Sequence, residues 1–94
     1  MLVKLDNALA ASEMSIAKFY QFNEKNLNAA AGRYSVVVST FPHTDQAPEA
    51  LYRMLECYTG LGLAHQADNV YAEINRLFKD NIWCCKAQKF YKKR

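Results

Sequence analysis

The stripe Leu27, Ala30, Tyr34, Val37 and Phe41 returns 37 positions later as Ala64, Ala67, Tyr71, Ile74 and Phe78. Its steps of three and four residues are those of an amphipathic α-helix. A stripe that recurs at a fixed offset marks a stacked helical unit, which buries its apolar face against a copy of itself. The segments before the stripes correspond too. Ile16, Ala17 and Tyr20 precede the first, and Met54, Leu55 and Tyr58 precede the second, at an offset of 38. The extra residue is expected in the turn Asn23–Asn26, because loops change length at little cost.

The fold class that follows is all-α: two helical hairpins and a C-terminal amphipathic helix, in one domain over residues 1–94. Helices are predicted at about 7–22, 26–40, 46–61, 64–79 and 81–92. The first repeat then covers about 7–41, the second about 46–79, and the last helix caps the stack. Pro42 stops the second helix. Asp45 or Thr44 is the expected cap of the third, with Pro48 tolerated in its first turn. Gly62 suits a left-handed position closing the third helix, and Ala67 lets the fourth helix approach it closely. Asp80 is the expected cap of the fifth helix. There Trp83, Ala87, Phe90 and Tyr91 form one face and Lys86, Lys89 and Lys93 the other. The residues assigned to packing between and within repeats are Ile16, Ala17, Tyr20, Ala30, Tyr34, Val37, Tyr58, Gly62, Ala67, Tyr71, Ile74 and Phe78.

Charge is unevenly spread. Residues 1–80 hold seven Lys/Arg against nine Asp/Glu, whereas residues 81–94 hold five Lys/Arg and no acid. The basic end reads as a solvated helix terminus whose cations suit the macrodipole; nucleic acid or anionic lipid is the lesser alternative. No apolar run reaches the ~18–20 residues of a membrane span. The start MLVKLDNALA, interrupted by Lys4 and Asp6, does not read as a signal peptide. The three cysteines, Cys57, Cys84 and Cys85, lack metal-ligand spacing and make no disulfide framework. His43 and His65 have no second ligand at metal spacing, no serine sits on a nucleophile elbow, and no Gly-rich phosphate loop exists. Catalytic residues, metals and cofactors are therefore expected to be none, and binding is the function class that remains.

Small residues at close-packing points, a tyrosine one turn later and proline after the second helix resemble the tetratricopeptide repeat. Tyr58, Gly62, Ala67 and Tyr71 carry the later part of that pattern. More narrowly, residues 13–41 and 49–67 resemble the last repeats of the BamD (ComL-type) outer-membrane assembly lipoproteins. The carrying residues are Glu13-Met14, Phe19-Tyr20, Ala29-Ala30, Arg33-Tyr34 and Val36-Val37-Val38. Glu49-Ala50-Leu51, Arg53, Glu56, Tyr58 and Leu61-Gly62-Leu63 follow, with Ile82-Trp83 near the end. The linker from Pro42 to Tyr52 is also similar to that of the periplasmic repeat protein of the Tol–Pal system, a second relative that would bind a peptide or protein in its groove.

The resemblance implies a protein-interaction scaffold in the periplasm, at the inner face of the outer membrane. It implies as partner a BamA-like POTRA domain or another subunit of the assembly complex, and membrane attachment only through a lipidated full-length parent. No cysteine precedes Cys57, so no lipidation site is expected here. Arg33, just before the core Tyr34, is the first candidate for partner binding. Arg53 is the second, although Glu56 stands three residues on, where an internal pair forms readily. Two hairpins leave apolar ends uncovered, which the fifth helix, a partner, self-association or a domain swap at the 41–46 loop would cover.

Overall fold

The computed structural model describes residues 3–92, with side chains from Asp6 onward. Five helices follow one another: α1 (Val3–Lys18), α2 (Leu27–Thr40), α3 (Gln46–Gly60), α4 (Ala64–Leu77) and α5 (Ile82–Lys92), and no strand occurs among the described residues. The fold is all-α and tetratricopeptide-like. α3 is its centre, in contact with α1, α2, α4 and α5. Its buried residues Ala47, Pro48, Ala50, Leu51, Met54, Leu55 and Cys57 cover more than one face, as befits a helix enclosed from two sides. Tyr34, Leu55, Ile74, Val37, Cys57 and Cys84 are the largest fully buried side chains.

The two hairpins close differently. After α3, Gly62 takes φ +76. The Leu63 N–H reaches the Tyr58 carbonyl at 2.9 Å and the Gly62 N–H the Thr59 carbonyl at 3.1 Å. These are the paired bonds of a Schellman cap, which satisfy carbonyls the helix end would orphan. Gly60 lies where a Cβ would come within 2.6 Å of Leu27 Cδ1, so α3 ends in close approach to the start of α2.

After α1, the chain widens into a π-helical turn at Phe19–Asn23, where Glu24 N–H bonds the Phe19 carbonyl at 3.1 Å and Asn26 N–H the Tyr20 carbonyl at 2.8 Å. Lys25 then takes the left-handed conformation, φ 56. Tyr20 and Tyr58 are 38 apart, but the left-handed residues Lys25 and Gly62 are 37 apart. The extra residue therefore sits in the last helical turn, not in the loop where it was expected. A π turn absorbs one residue without breaking the helix. Asn26 caps α2, accepting the Ala29 N–H at 3.2 Å.

Three other local expectations are corrected. Asp45 makes no capping bond, and the Thr44 hydroxyl donates backwards to the Phe41 carbonyl at 2.7 Å. Asn81, not Asp80, caps α5, through Oδ1 on the Trp83 N–H at 2.9 Å. Ile16 is 38% exposed. The inward stripe of α1 is Ala10, Met14 and Ala17, continued into the π turn by Gln21, and Ile16 stands ~100° around the helix from it. Ala17, Ala30, Tyr34, Val37, Ala67 and Ile74 are buried, and Tyr20, Tyr58, Tyr71 and Phe78 are partly buried against the same core.

Candidate functional site

Glu49, Arg53 and Glu56 lie at steps of four and three on α3, so helical geometry alone puts them on one face. Arg53 Nη1 donates to Glu56 Oε1 at 3.0 Å, and its Nε lies 3.6 Å from Glu49 Oε2. Lys18, from the end of α1, reaches the same Glu49 oxygen at 2.8 Å. The buried Gln21 carries the network inward: its Nε2 donates to Glu56 Oε1 at 3.2 Å, and its Oε1 accepts from the Tyr34 hydroxyl at 2.7 Å. Two carboxylates and two cations thus join α1 to α3 in a balanced set, and Gln21 ties that set to Tyr34 of α2.

Burial acting alone would lower the Arg53 pKa, but the hydrogen bond and charge of Glu56, then the charge of Glu49, outweigh it and hold the guanidinium above its ordinary value. Tyr34 is pushed far above the usual tyrosine value, chiefly by burial. It is a fixed hydrogen-bond donor rather than an acid at neutral pH.

The Arg53 guanidinium faces three rings: Phe22 at 5.5 Å, Tyr52 at 5.4 Å and Trp83 at 5.7 Å from their centroids. They come from the π turn, α3 and α5. Tyr52 and Trp83 are 5.5 Å apart, and Tyr52 meets Phe90 edge-on at 6.2 Å. Lys86 Nζ lies 4.4 Å from the Trp83 centroid. Arg53 is therefore held from within by Glu56 and Glu49, although its buried Nε makes no hydrogen bond, and what it offers outward is a braced aromatic surface.

Arg33 is placed elsewhere, on α2, where Nη1 meets Glu13 Oε1 of α1 at 3.1 Å with the arginine side chain 44% exposed. Glu13 lies between the exposed Leu9 and Ile16, so Leu9, Glu13 and Ile16 share one outward face of α1. The structure does not bring Arg33 and Arg53 into one site.

α5 differs from its expected two-faced division among the described residues, which leave out Lys93. Its buried residues are Cys84 and Ala87, and Tyr91 stacks on Tyr71 with centroids 4.0 Å apart while its hydroxyl bonds Asp68. Lys86 and Lys89 flank the Trp83–Phe90 edge instead of pointing away from it.

The cysteines are free. Burial pushes the Cys57 thiol up to about 12 and raises that of Cys84, whereas Cys85 is exposed. His43 pairs with Asp6 at 2.7 Å, a contact across 37 residues that spacing along the chain does not reveal. Among the described residues no group of three or more His, Cys, Asp or Glu is placed to hold a metal, and no helix is long and apolar enough to cross a membrane. Lys18, Gln21 and Phe22 are the members of this site that sequence reasoning missed. Gln21 alone leaves a signal, a polar residue in the fourth place of the stripe Ala10, Met14, Ala17.

The family model described as "Outer membrane lipoprotein" (YfiO) matches residues 1–73. The outer membrane protein assembly factor BamD of Caulobacter vibrioides is 34% identical over 79 residues, covering 84% of this chain and 26% of that protein. The BamD of Rickettsia prowazekii is 32% identical over 88 residues, covering 94% of this chain and 35% of that protein. No solved structure matches with significance. The chain spans about a quarter to a third of the length of these curated relatives. Repeat stripes, helical hairpins and the match over most of its length agree: this chain belongs to the YfiO family of outer membrane lipoproteins, the family of BamD.

Proposed function

We propose that the chain is a protein-interaction scaffold of the outer-membrane β-barrel assembly machinery, acting in the periplasm at the inner face of the outer membrane and binding a POTRA-type partner rather than transforming a substrate. The observation that carries this reading is the outward face of α1 and α2. The Arg33–Glu13 pair is flanked by Leu9 and Ile16, 46% and 38% exposed. A charged pair set among exposed apolar side chains is the composition of an interface, where arginine and large apolar residues anchor and polar groups give orientation. A POTRA carboxylate replacing or sharing Glu13 would draw on the guanidinium's remaining donors. The family membership supports the same reading. The relatives are outer membrane protein assembly factors, and that is the role proposed for this chain.

The test is a binding measurement between the folded chain and isolated POTRA domains. Binding should occur and fall at least tenfold with Arg33→Glu, while Arg76→Glu, in an exposed pair on α4, leaves it unchanged. Absence of binding by a sample with native helix content refutes the POTRA assignment.

A further inference from the structure

The groove between α3 and α5 has no place in the POTRA reading above, which uses the opposite hairpin. Tyr52, Lys86, Lys89 and Phe90 line a hollow of about 260 Å³. Trp83 stands beside it, its ring centroid 5.5 Å from that of Tyr52, 4.4 Å from Lys86 Nζ and 5.7 Å from the Arg53 guanidinium. The charges around it are asymmetric. Arg53 is occupied by Glu49 and Glu56. Among the described residues, no carboxylate lies within ion-pairing distance of Lys86 or Lys89. Residues 81–94 hold no acid that could answer them. Two exposed ammonium groups one helical turn apart therefore face a recess with aromatic walls.

We infer that this groove is a docking site for an acidic, apolar-flanked segment of a protein partner, with one carboxylate between Lys86 and Lys89 and a neighbouring apolar side chain against Tyr52 and Phe90. The inference rests on the protein-interaction reading but not on the POTRA assignment. Charge complementarity selects an anion. The shape selects a peptide over a membrane. The recess is a hollow of about 260 Å³, on the scale of side chains, whereas a lipid surface meets a broad basic face. Aromatic walls reward the apolar neighbour of the acid and hold it at small entropic cost.

Trp83 is the only tryptophan of the chain, so its emission reports on the groove directly. The probe is an N-acetylated, C-amidated nonapeptide with central Leu-Glu-Leu-Asp-Phe, titrated into the full chain. Its partners are the same peptide with Gln and Asn for Glu and Asp, and vesicles of phosphatidylglycerol. The expected result is a saturable change of Trp83 emission with the acidic peptide, weakened at least tenfold in the Gln/Asn peptide. Lys86→Gln with Lys89→Gln should weaken it equally, and raising salt from 50 to 500 mM should weaken it severalfold. Both lysines are exposed, so circular dichroism should stay native in the double variant. No response to the acidic peptide, a response indifferent to the carboxylates or the lysines, or a response to vesicles alone overturns the inference. Peptide binding without POTRA binding keeps the groove and removes the POTRA assignment; the reverse outcome does the opposite.

Discussion

Tyr34 and Tyr71 occupy equivalent places in the two stripes, yet they live differently. Tyr34 is fully buried between α1, α2 and α3, with its hydroxyl on Gln21. Tyr71 is half-buried and stacks on Tyr91. The residue of α3 that matches Gln21 at the 38-residue offset is Thr59, whose hydroxyl oxygen is buried without a hydrogen-bond partner. The first hairpin is closed by a helix from the next unit, and polar groups trapped there must be paired. The second is closed by the shorter α5. A repeated sequence does not make repeated environments; position in the stack decides which polar group can be satisfied.

The comparison can be broken most readily at the tyrosines. Tyr34→Ala should cost about 3–5 kcal/mol of unfolding free energy by urea titration, the range for a buried aromatic truncation, and Tyr71→Ala roughly half as much. Equal losses would mean that the end of the stack is as closed as its middle.

Alkaline titration comes next. Cys57 is buried, while its counterpart Phe19 at the 38-residue offset is 49% exposed. A thiol raised in the folded state stabilises fully below its unfolded pKa. That contribution is lost as pH rises from the ordinary thiol range of about 8.5 towards the folded value of about 12. Stability should thus fall above pH 9 by roughly 1–3 kcal/mol, at ~1.4 kcal/mol per unit discounted for partial relaxation. Cys57→Ala should flatten the slope. An unchanged slope would assign the loss to Tyr34, which is shifted in the same direction.

The turns give a smaller and opposite pair of effects. Gly62→Ala should destabilise by about 1 kcal/mol, the cost of a Cβ at positive φ, and Lys25→Gly should stabilise by about 0.5–1 kcal/mol. If Lys25→Gly is neutral or harmful, the lysine side chain contributes something the left-handed backbone does not reveal. Smallest of all, Arg33→Ala should change stability by less than about 0.5 kcal/mol, because exposed pairs contribute little, even where it abolishes partner binding.

Much of this fold is legible in periodicity. The two stripes, the breaks at Pro42 and Gly62 and the amphipathic end mark five helices, because a helix that buries one face must repeat at three and four. The π turn is not legible that way. An offset changing from 37 to 38 shows that a residue was added but not whether helix or loop absorbs it. Ile16 misled for a related reason: on a helix with apolar residues on adjacent lines, periodicity alone does not say which line faces in. The site was harder to read. Arg53 with Glu56 was visible as a local pair, but Gln21, Lys18 and Trp83 join it from other helices, and such meetings are set by packing rather than by spacing. The exchange of Asn81 for Asp80 as a cap is a one-residue slip of the kind helix ends permit.

The widened turn at Phe19–Asn23 also acts as a rotational setting for everything upstream. Were one residue removed there, each side chain before it would move into its successor's slot, and Ala10, Met14 and Ala17 would yield the interior to Leu9, Glu13 and Ile16. Small residues would give way to bulky ones and a carboxylate would be drawn from water into the seam. A single codon in that turn thus chooses which edge of the leading helix is hidden and which is displayed to the outside.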